Sequence, residues 1–255
     1  MIENFQIEPL LRLAREAGDA VMAVYNDTDF STVVDFKSDN SPLTLADKAS
    51  HRVIAKSLST LFPEIPVISE EGEQTDYEVR RHWEYFWLVD PLDGTKEFIK
   101  RNGEFTINIA LIHKDHPVAG VVYTPVTDTM YYGIIGGEAR KSERGEVTPL
   151  RINNSEIKRI AVRSKSHPSP EEEVVLDKFG AKDSISVGSS LKFCMVAEGK
   201  ADIYYRHGPT MEWDTAAGQA VVEAAGGMVY LGQTTDQPFR YNKPSLLNGS
   251  FLCLG

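Results

Sequence analysis

Cysteine is scarce in this 255-residue chain. Cys194 and Cys253 are too few and too far apart for a metal knuckle or a disulfide framework, so a reducing compartment is expected. Cys194, on an apolar stretch, reads as inert core. No apolar run approaches the ~20 residues of a membrane span. Met1-Ile-Glu-Asn-Phe-Gln6 leads directly into an amphipathic helix, where no secretory leader is read. The expected location is the cytoplasm, with peripheral association at the inner face of the cell membrane left open. Positive charge is also short: 27 Lys and Arg against 37 Asp and Glu give a net charge of -10. That balance opposes general binding to nucleic acid or to anionic membranes. Any anionic ligand would therefore have to be drawn in by local groups. The sequence has no Gly-x-Ser-x-Gly elbow, Walker loop or Gly-x-Gly-x-x-Gly run, which argues against acyl hydrolases, nucleoside triphosphatases and dinucleotide-binding proteins. His113 and His116 read as a polar turn between strands rather than a metal site.

What is present is a set of carboxylates in informative places. Four stretches put acids where a divalent-metal phosphatase needs them: Pro42-Leu-Thr-Leu-Ala-Asp47, Ser69-Glu-Glu-Gly72, Asp90-Pro-Leu-Asp-Gly-Thr95 and Trp213-Asp-Thr215. In Tyr85-Phe-Trp-Leu-Val-Asp90 an apolar run of strand length ends in a carboxylate, and Pro91 with Gly94 then turns the chain. Asp90 and Asp93 should sit together at that strand end. Gly94 lets the backbone approach a ligand, and amides at Gly94 and Thr95 can receive a phosphate if a helical turn begins there. An ordinary surface turn explains Asp-Gly equally well.

Val67-Ile-Ser-Glu70 repeats the strand-then-acid arrangement, although glutamate pairs are also common on solvated faces. Asp214 precedes an alanine-rich helix closed by Gly226-Gly227 and falls at or near its N-cap, which is itself a sufficient reason for an Asp. Thr44 and Asp47 open a helix running to about Leu61, whose apolar positions Ala46, Ala49, Val53, Ile54, Leu58 and Leu61 follow helical spacing. Asp47 thus falls off the buried stripe. Capping explains it, and so does orienting or deprotonating a water through a hydroxyl such as Thr95.

The 42% hydrophobic and 25% charged composition is that of a globular chain large enough for a sizeable core. Helices are predicted near 8–25 and 44–61. Strands follow at 67–69, 85–89, 106–112, 118–123 and 129–134, with turn residues at Gly136-Gly137 and Arg144-Gly145. The second half alternates strand 159–163, helix 170–179, strand 185–187, helix 189–199, strand 201–205, helix 214–225 and strand 228–230. This order predicts an α+β lobe, residues 1–155, followed by an α/β lobe, residues 156–255.

Asp90-Pro-Leu-Asp-Gly-Thr95 together with Trp213-Asp-Thr-Ala-Ala-Gly218 resembles the paired signature of the inositol monophosphatase superfamily of lithium-sensitive, magnesium-dependent phosphomonoesterases. The resemblance extends over nearly the whole chain. Asn40–Asp47, Trp87–Gly103 and Gly188-Ser-Ser-Leu-Lys-Phe-Cys194 resemble, more narrowly, the 3'(2'),5'-bisphosphate nucleotidases of the CysQ type. The Lys96-Glu-Phe-Ile-Lys100 run sets that branch apart.

This resemblance implies one layered α/β/α/β/α sandwich with a site between the lobes. It implies that Glu70, Asp90, Asp93, Asp214 and the carbonyl of Leu92 bind metal, with two or three Mg2+ ions per site. Asp47 and Thr95 would position the attacking water, and Gly94 and Thr95 would contact the scissile phosphate. Gly188, Ser189, Ser190 and Lys192 would build a nucleotide pocket, with Arg206 against a second phosphate. An all-oxygen ligand set suits magnesium rather than zinc. An aspartyl-phosphate mechanism is disfavoured because the spacing is Asp-x-x-Asp, not Asp-x-Asp.

The implied substrate is a small bisphosphate nucleotide, 3'-phosphoadenosine 5'-phosphate or its 5'-phosphosulfate analogue, acted on by a monomer or homodimer. An inositol or sugar phosphatase would share the catalytic centre and differ in the pocket. A non-catalytic nucleotide or metal sensor would be expected to have lost Asp47 or Thr95.

Overall fold

The structure, a computed structural model, describes residues 5–26, 34–36, 42–153, 159–165 and 169–255, with side chains described outside 34–36 and 42–44. The Asn40-Ser41 start of the first acidic motif and the side chain of Thr44 lie outside that set. Helix α1 (Glu8–Tyr25) buries Leu10, Leu13, Ala14, Ala17 and Val21 along one face, as their spacing predicts. An antiparallel pair, β1 (Val34–Phe36) and β2 (Pro42–Thr44), leads into α2 (Leu45–Leu61).

Helix α2 corrects one expectation. Its buried face runs through Ala46, Asp47, Ser50, Ile54 and Leu58, whereas Ala49 and Val53 are half-buried and Leu61 is exposed. Asp47 lies on the inward stripe, not off it. The reason is local: the first turns of α2 abut a polar bend in a strand, where Ser50 Oγ donates to the Pro91 carbonyl at 2.7 Å.

Next come β3 (Val67–Ser69), α3 (Tyr77–Arg80), β4 (Tyr85–Asp93), α4 (Thr95–Ile99), β5 (Thr106–His113), β6 (His116–Thr124), β7 (Thr129–Ile134), β8 (Ala139–Glu143) and β9 (Glu146–Pro149). Strands β3 to β9 form one seven-stranded sheet in chain order, parallel between β3 and β4 and antiparallel thereafter. The histidines read as a turn do flank one, at the β5–β6 hairpin, and His116 Nε2 also lies 3.0 Å from Glu223.

Strand β4 does not stop at Asp90. It pairs Asp90 with Asn108 and then Asp93 with Thr106, so Pro91-Leu92 oppose the single residue Ile107. This two-against-one bulge resets the alternation of the strand. Residues three apart, which point to opposite faces of a regular strand, here share the face of Asn108 and Thr106.

The second half contains β10 (Arg159–Ser164), α5 (Pro170–Lys178), β11 (Ala181–Val187), α6 (Leu191–Ala197), β12 (Ile203–Arg206), β13 (Thr210–Met211), α7 (Glu212–Ala224), β14 (Met228–Leu231), β15 (Leu247–Asn248) and β16 (Phe251–Leu254). Five strands form a second sheet in the order β11-β10-β12-β16-β14. Strand β16, which the sequence reading did not identify, pairs with both β12 and β14 and buries Phe251, Leu252 and Cys253 completely.

Helices α1 and α2 cover one face of the first sheet, α6 and α7 lie between the two sheets, and α5 covers the far side of the second. This is the layered α/β/α/β/α sandwich that the resemblance implies. Helix α7 lies directly on β6: a Cβ added at Gly120 would stand 2.6 Å from the Ala217 carbonyl oxygen. That close approach carries the first turn of α7 toward the bulge of β4.

Candidate active site

The bulge supplies Asp90 and Asp93. After it, Gly94 adopts φ +93°, in the left-handed region open to glycine, and Thr95 begins α4 as a phosphate-binding turn requires. Glu70 follows β3, where its amide donates to the Val89 carbonyl at 3.2 Å and so holds it beside the end of β4. Asp214 arrives from the opposite side on α7. It is not the N-cap: the cap is Met211, and Asp214, three residues on, accepts the Met211 amide on Oδ2 at 2.8 Å. One oxygen of its carboxylate is thereby fixed.

These groups share one cavity of about 490 Å3. It is lined by Glu70, Asp90, Leu92, Asp93, Gly94, Thr95 and Asp214 and equally by Gly188, Ser189, Ser190, Lys192 and Arg206. Of the predicted site residues only Asp47 does not line it. Asp47 is buried behind, close enough for its charge to act on Asp90.

Negative charge is packed tightly here. Burial, then the charges of Glu70, Asp93, Asp214 and Asp47, push the Asp90 carboxyl well above the usual range. Burial and Asp93 do the same to Asp214. The Asp93 carboxyl is also raised, because burial outweighs the nearby Lys192 ammonium and the hydrogen bonds from Ser190 and Asn108. Burial in turn lowers the Lys192 ammonium despite its acidic neighbours.

Among the described residues no three carboxylate, histidine or cysteine side chains are already drawn around a common point. Glu70, Asp90, Asp93 and Asp214 nevertheless line the same cavity. A hard divalent cation fits such a site, since the donors are carboxylate oxygens and burial with mutual repulsion outweighs the nearby Lys192 ammonium.

Sequence reading missed Thr106 and Asn108 and named Ser190 only for a nucleotide pocket, yet all three brace this cluster. Asn108 Nδ2 donates to Ser190 Oγ at 2.9 Å, and Ser190 Oγ lies 2.9 Å from Asp93 Oδ2 and 2.8 Å from the Asp214 carbonyl oxygen. Thr106 Oγ1 donates to Asn108 Oδ1 at 3.0 Å. One hydroxyl thus links the bulge, β5 and the start of α7. The signal was available: Thr106 and Asn108 are the polar positions of an otherwise apolar alternating strand. Ser189 is in the left-handed region at φ +43°, and its buried hydroxyl bonds no group among the described residues.

Comparison with known proteins agrees with this architecture. The model of the inositol monophosphatase family matches residues 6–252, and the chain belongs to that family, whose members are metal-dependent phosphatases. Within it, the chain is 49% identical over 246 residues to the 3'(2'),5'-bisphosphate nucleotidase CysQ of Escherichia coli strain K12, covering 96% of this chain and 98% of that protein. The crystal structure of CysQ from Bacteroides thetaiotaomicron, 43% identical, superposes with a TM-score of 0.86 over 99% of this chain and 98% of the other. An inositol monophosphatase from Anabaena (Nostoc), 23% identical, shares the fold with a TM-score of 0.71 over 97% of this chain and 89% of the other.

Proposed function

We propose that the chain is a magnesium-dependent 3'(2'),5'-bisphosphate nucleotidase that hydrolyses the 3'-phosphate of 3'-phosphoadenosine 5'-phosphate to give AMP and phosphate. The 5'-phosphosulfate analogue is a further substrate. The observation that carries this reading is one cavity lined both by a carboxylate cluster and by Lys192 and Arg206. The carboxylates suit a metal-held phosphate, and the two basic side chains give a bisphosphate its second anchor. The relatives of about half identity named above support the nucleotide over an inositol ring.

Glu70, Asp90, Asp93, Asp214 and the Leu92 carbonyl would hold two or three magnesium ions. When bound, these shield the phosphate oxygens, acidify a water and stabilise the leaving oxygen. The residues of the chain do the rest. The Thr95 hydroxyl, which lines the cavity, orients the attacking water and relays its proton to Asp47, buried at the N-terminus of α2 where a carboxylate is favoured. Gly94 and Thr95 position the phosphoryl group. Lys192 and Arg206 hold the 5'-phosphate, so the 3'-ester alone reaches the water. The water oxygen bonds to phosphorus, the bond from phosphorus to the ribose 3'-oxygen breaks, and that oxygen takes up a proton from solvent while Asp47 holds the one given up by the water. Two free, fully buried cysteines support a cytoplasmic setting.

The deciding experiment is phosphate release from 3'-phosphoadenosine 5'-phosphate and from inositol 1-phosphate, in parallel, with magnesium, with EDTA and with lithium. A nucleotide preference abolished by EDTA and reduced by lithium is expected. Preference for inositol phosphate would overturn the pocket assignment, and release from neither would overturn the phosphatase reading for these esters.

A further inference from the structure

Gly94 and Gly188 line the cavity from separate loops, and one residue outside the acidic motifs touches both loops. Glu104 lies in the turn between α4 and β5. Its Oε2 accepts the Gly188 amide at 2.9 Å, and its Oε1 accepts from Lys165 Nζ at 2.8 Å. Its own amide donates to Asn102 Oδ1 at 2.9 Å.

Packing leaves no slack around this contact. A Cβ at Gly188 would lie 2.7 Å from the Glu104 carbonyl oxygen, and one at Gly94 would lie 3.3 Å from that oxygen and 3.3 Å from Ser189 Cβ. Ser189, next along the loop, holds a left-handed backbone conformation that needs outside restraint. A carboxylate bonded to a backbone amide is a strong form of such restraint. With its side chain only 23% exposed, Glu104 is partly shielded from competing water.

We propose that Glu104 is a positioning residue for substrate selection. By holding the Gly188 amide it sets the wall carrying Ser189 and Lys192 at a fixed distance from the Gly94-Thr95 phosphate turn. Lys165, at the end of β10, fixes the carboxylate from the second sheet, so the clamp spans both sheets. The inference rests on the nucleotidase reading for the identity of the substrate, while the clamp itself is read independently below.

The test compares Glu104→Ala and Glu104→Gln with wild type, measuring kcat and KM for 3'-phosphoadenosine 5'-phosphate, half-saturating magnesium, and amide hydrogen exchange across residues 185–192. Glu104→Ala is expected to raise KM about tenfold, as loss of one charge-assisted bond implies, with kcat and half-saturating magnesium changed less than about twofold. Exchange across 185–192 should quicken. Glu104→Gln keeps an acceptor oxygen and should recover most of both effects.

An unchanged KM in Glu104→Ala, a fall in kcat at constant KM, or equal losses in the two variants would overturn the proposal. If wild type itself leaves the nucleotide intact, the nucleotidase reading fails, and exchange decides the clamp alone: faster exchange in Glu104→Ala upholds it, and unchanged exchange refutes it.

Discussion

Asp90, Asp93 and Asp214 are each held in a conflict that a bound cation would resolve. Asp90 shows this most clearly, being 2% exposed and repelled by four neighbours, yet retained. Asp90→Asn keeps the acceptor for the Leu92 amide, which now reaches Asp90 Oδ1 at 3.0 Å, and removes the charge. We expect magnesium-dependent turnover to be lost. The metal-free protein should melt higher than wild type in EDTA, because a raised carboxyl means that the charged form is disfavoured by the fold. A lower melting temperature would contradict the repulsion account.

Asp47→Asn should instead reduce kcat strongly, with half-saturating magnesium shifted less than about threefold. Titrating magnesium in initial-rate assays separates the two variants. Lys192→Ala should raise KM for the bisphosphate nucleotide about tenfold, the consequence of one lost charge-assisted contact. Equal loss with inositol 1-phosphate would mean that Lys192 does not read the nucleotide.

At the scale of elements, the decisive feature is the β4 bulge followed by Gly94. Replacing Gly94 by Ala forces a side chain into φ +93° and places its Cβ 3.3 Å from the Glu104 oxygen. A loss of about 1 kcal/mol or more in stability is expected, with activity falling further because the phosphate turn moves. Melting temperature and kcat/KM measured together check this.

The same scale shows what could be read in advance. The carboxylates were legible because each follows an apolar run or opens a helix, and α1, β7 and α5 kept nearly their expected bounds because local pattern defines them. The bulge was not legible, since two residues opposing one is a property of the partner strand. Strand β16 was missed because a four-residue apolar run becomes a central strand only through β12 and β14. Thr106 and Asn108 were visible as polar interruptions, but their role depends on Ser190, 82 residues beyond Asn108.

For the whole molecule, the layered arrangement makes the site a boundary between two sheets, and its charge a property of both. With Asp90, Asp93 and Asp214 all raised, ion binding favours deprotonation. Adding magnesium to metal-free protein is therefore expected to release protons over a pH range displaced upward from that of ordinary carboxylates, and affinity should climb as pH rises through that range. Calorimetric titration in buffers of different ionisation enthalpy measures the release. None detected would mean that the acids are already ionised before metal arrives.

Helix α7 bears Asp214 from one end of the chain onto a sheet built by residues 67–149. The ion-binding arrangement therefore has a place in time as well as in space. Glu70, Asp90 and Asp93 can be near one another as soon as the first sheet forms, but the set is complete only after α7 has docked, which is a long-range event. If magnesium binds the completed set, as proposed, it should slow unfolding while leaving the refolding rate nearly unchanged. A refolding rate that climbs with magnesium would mean that the acids gather before the layers do.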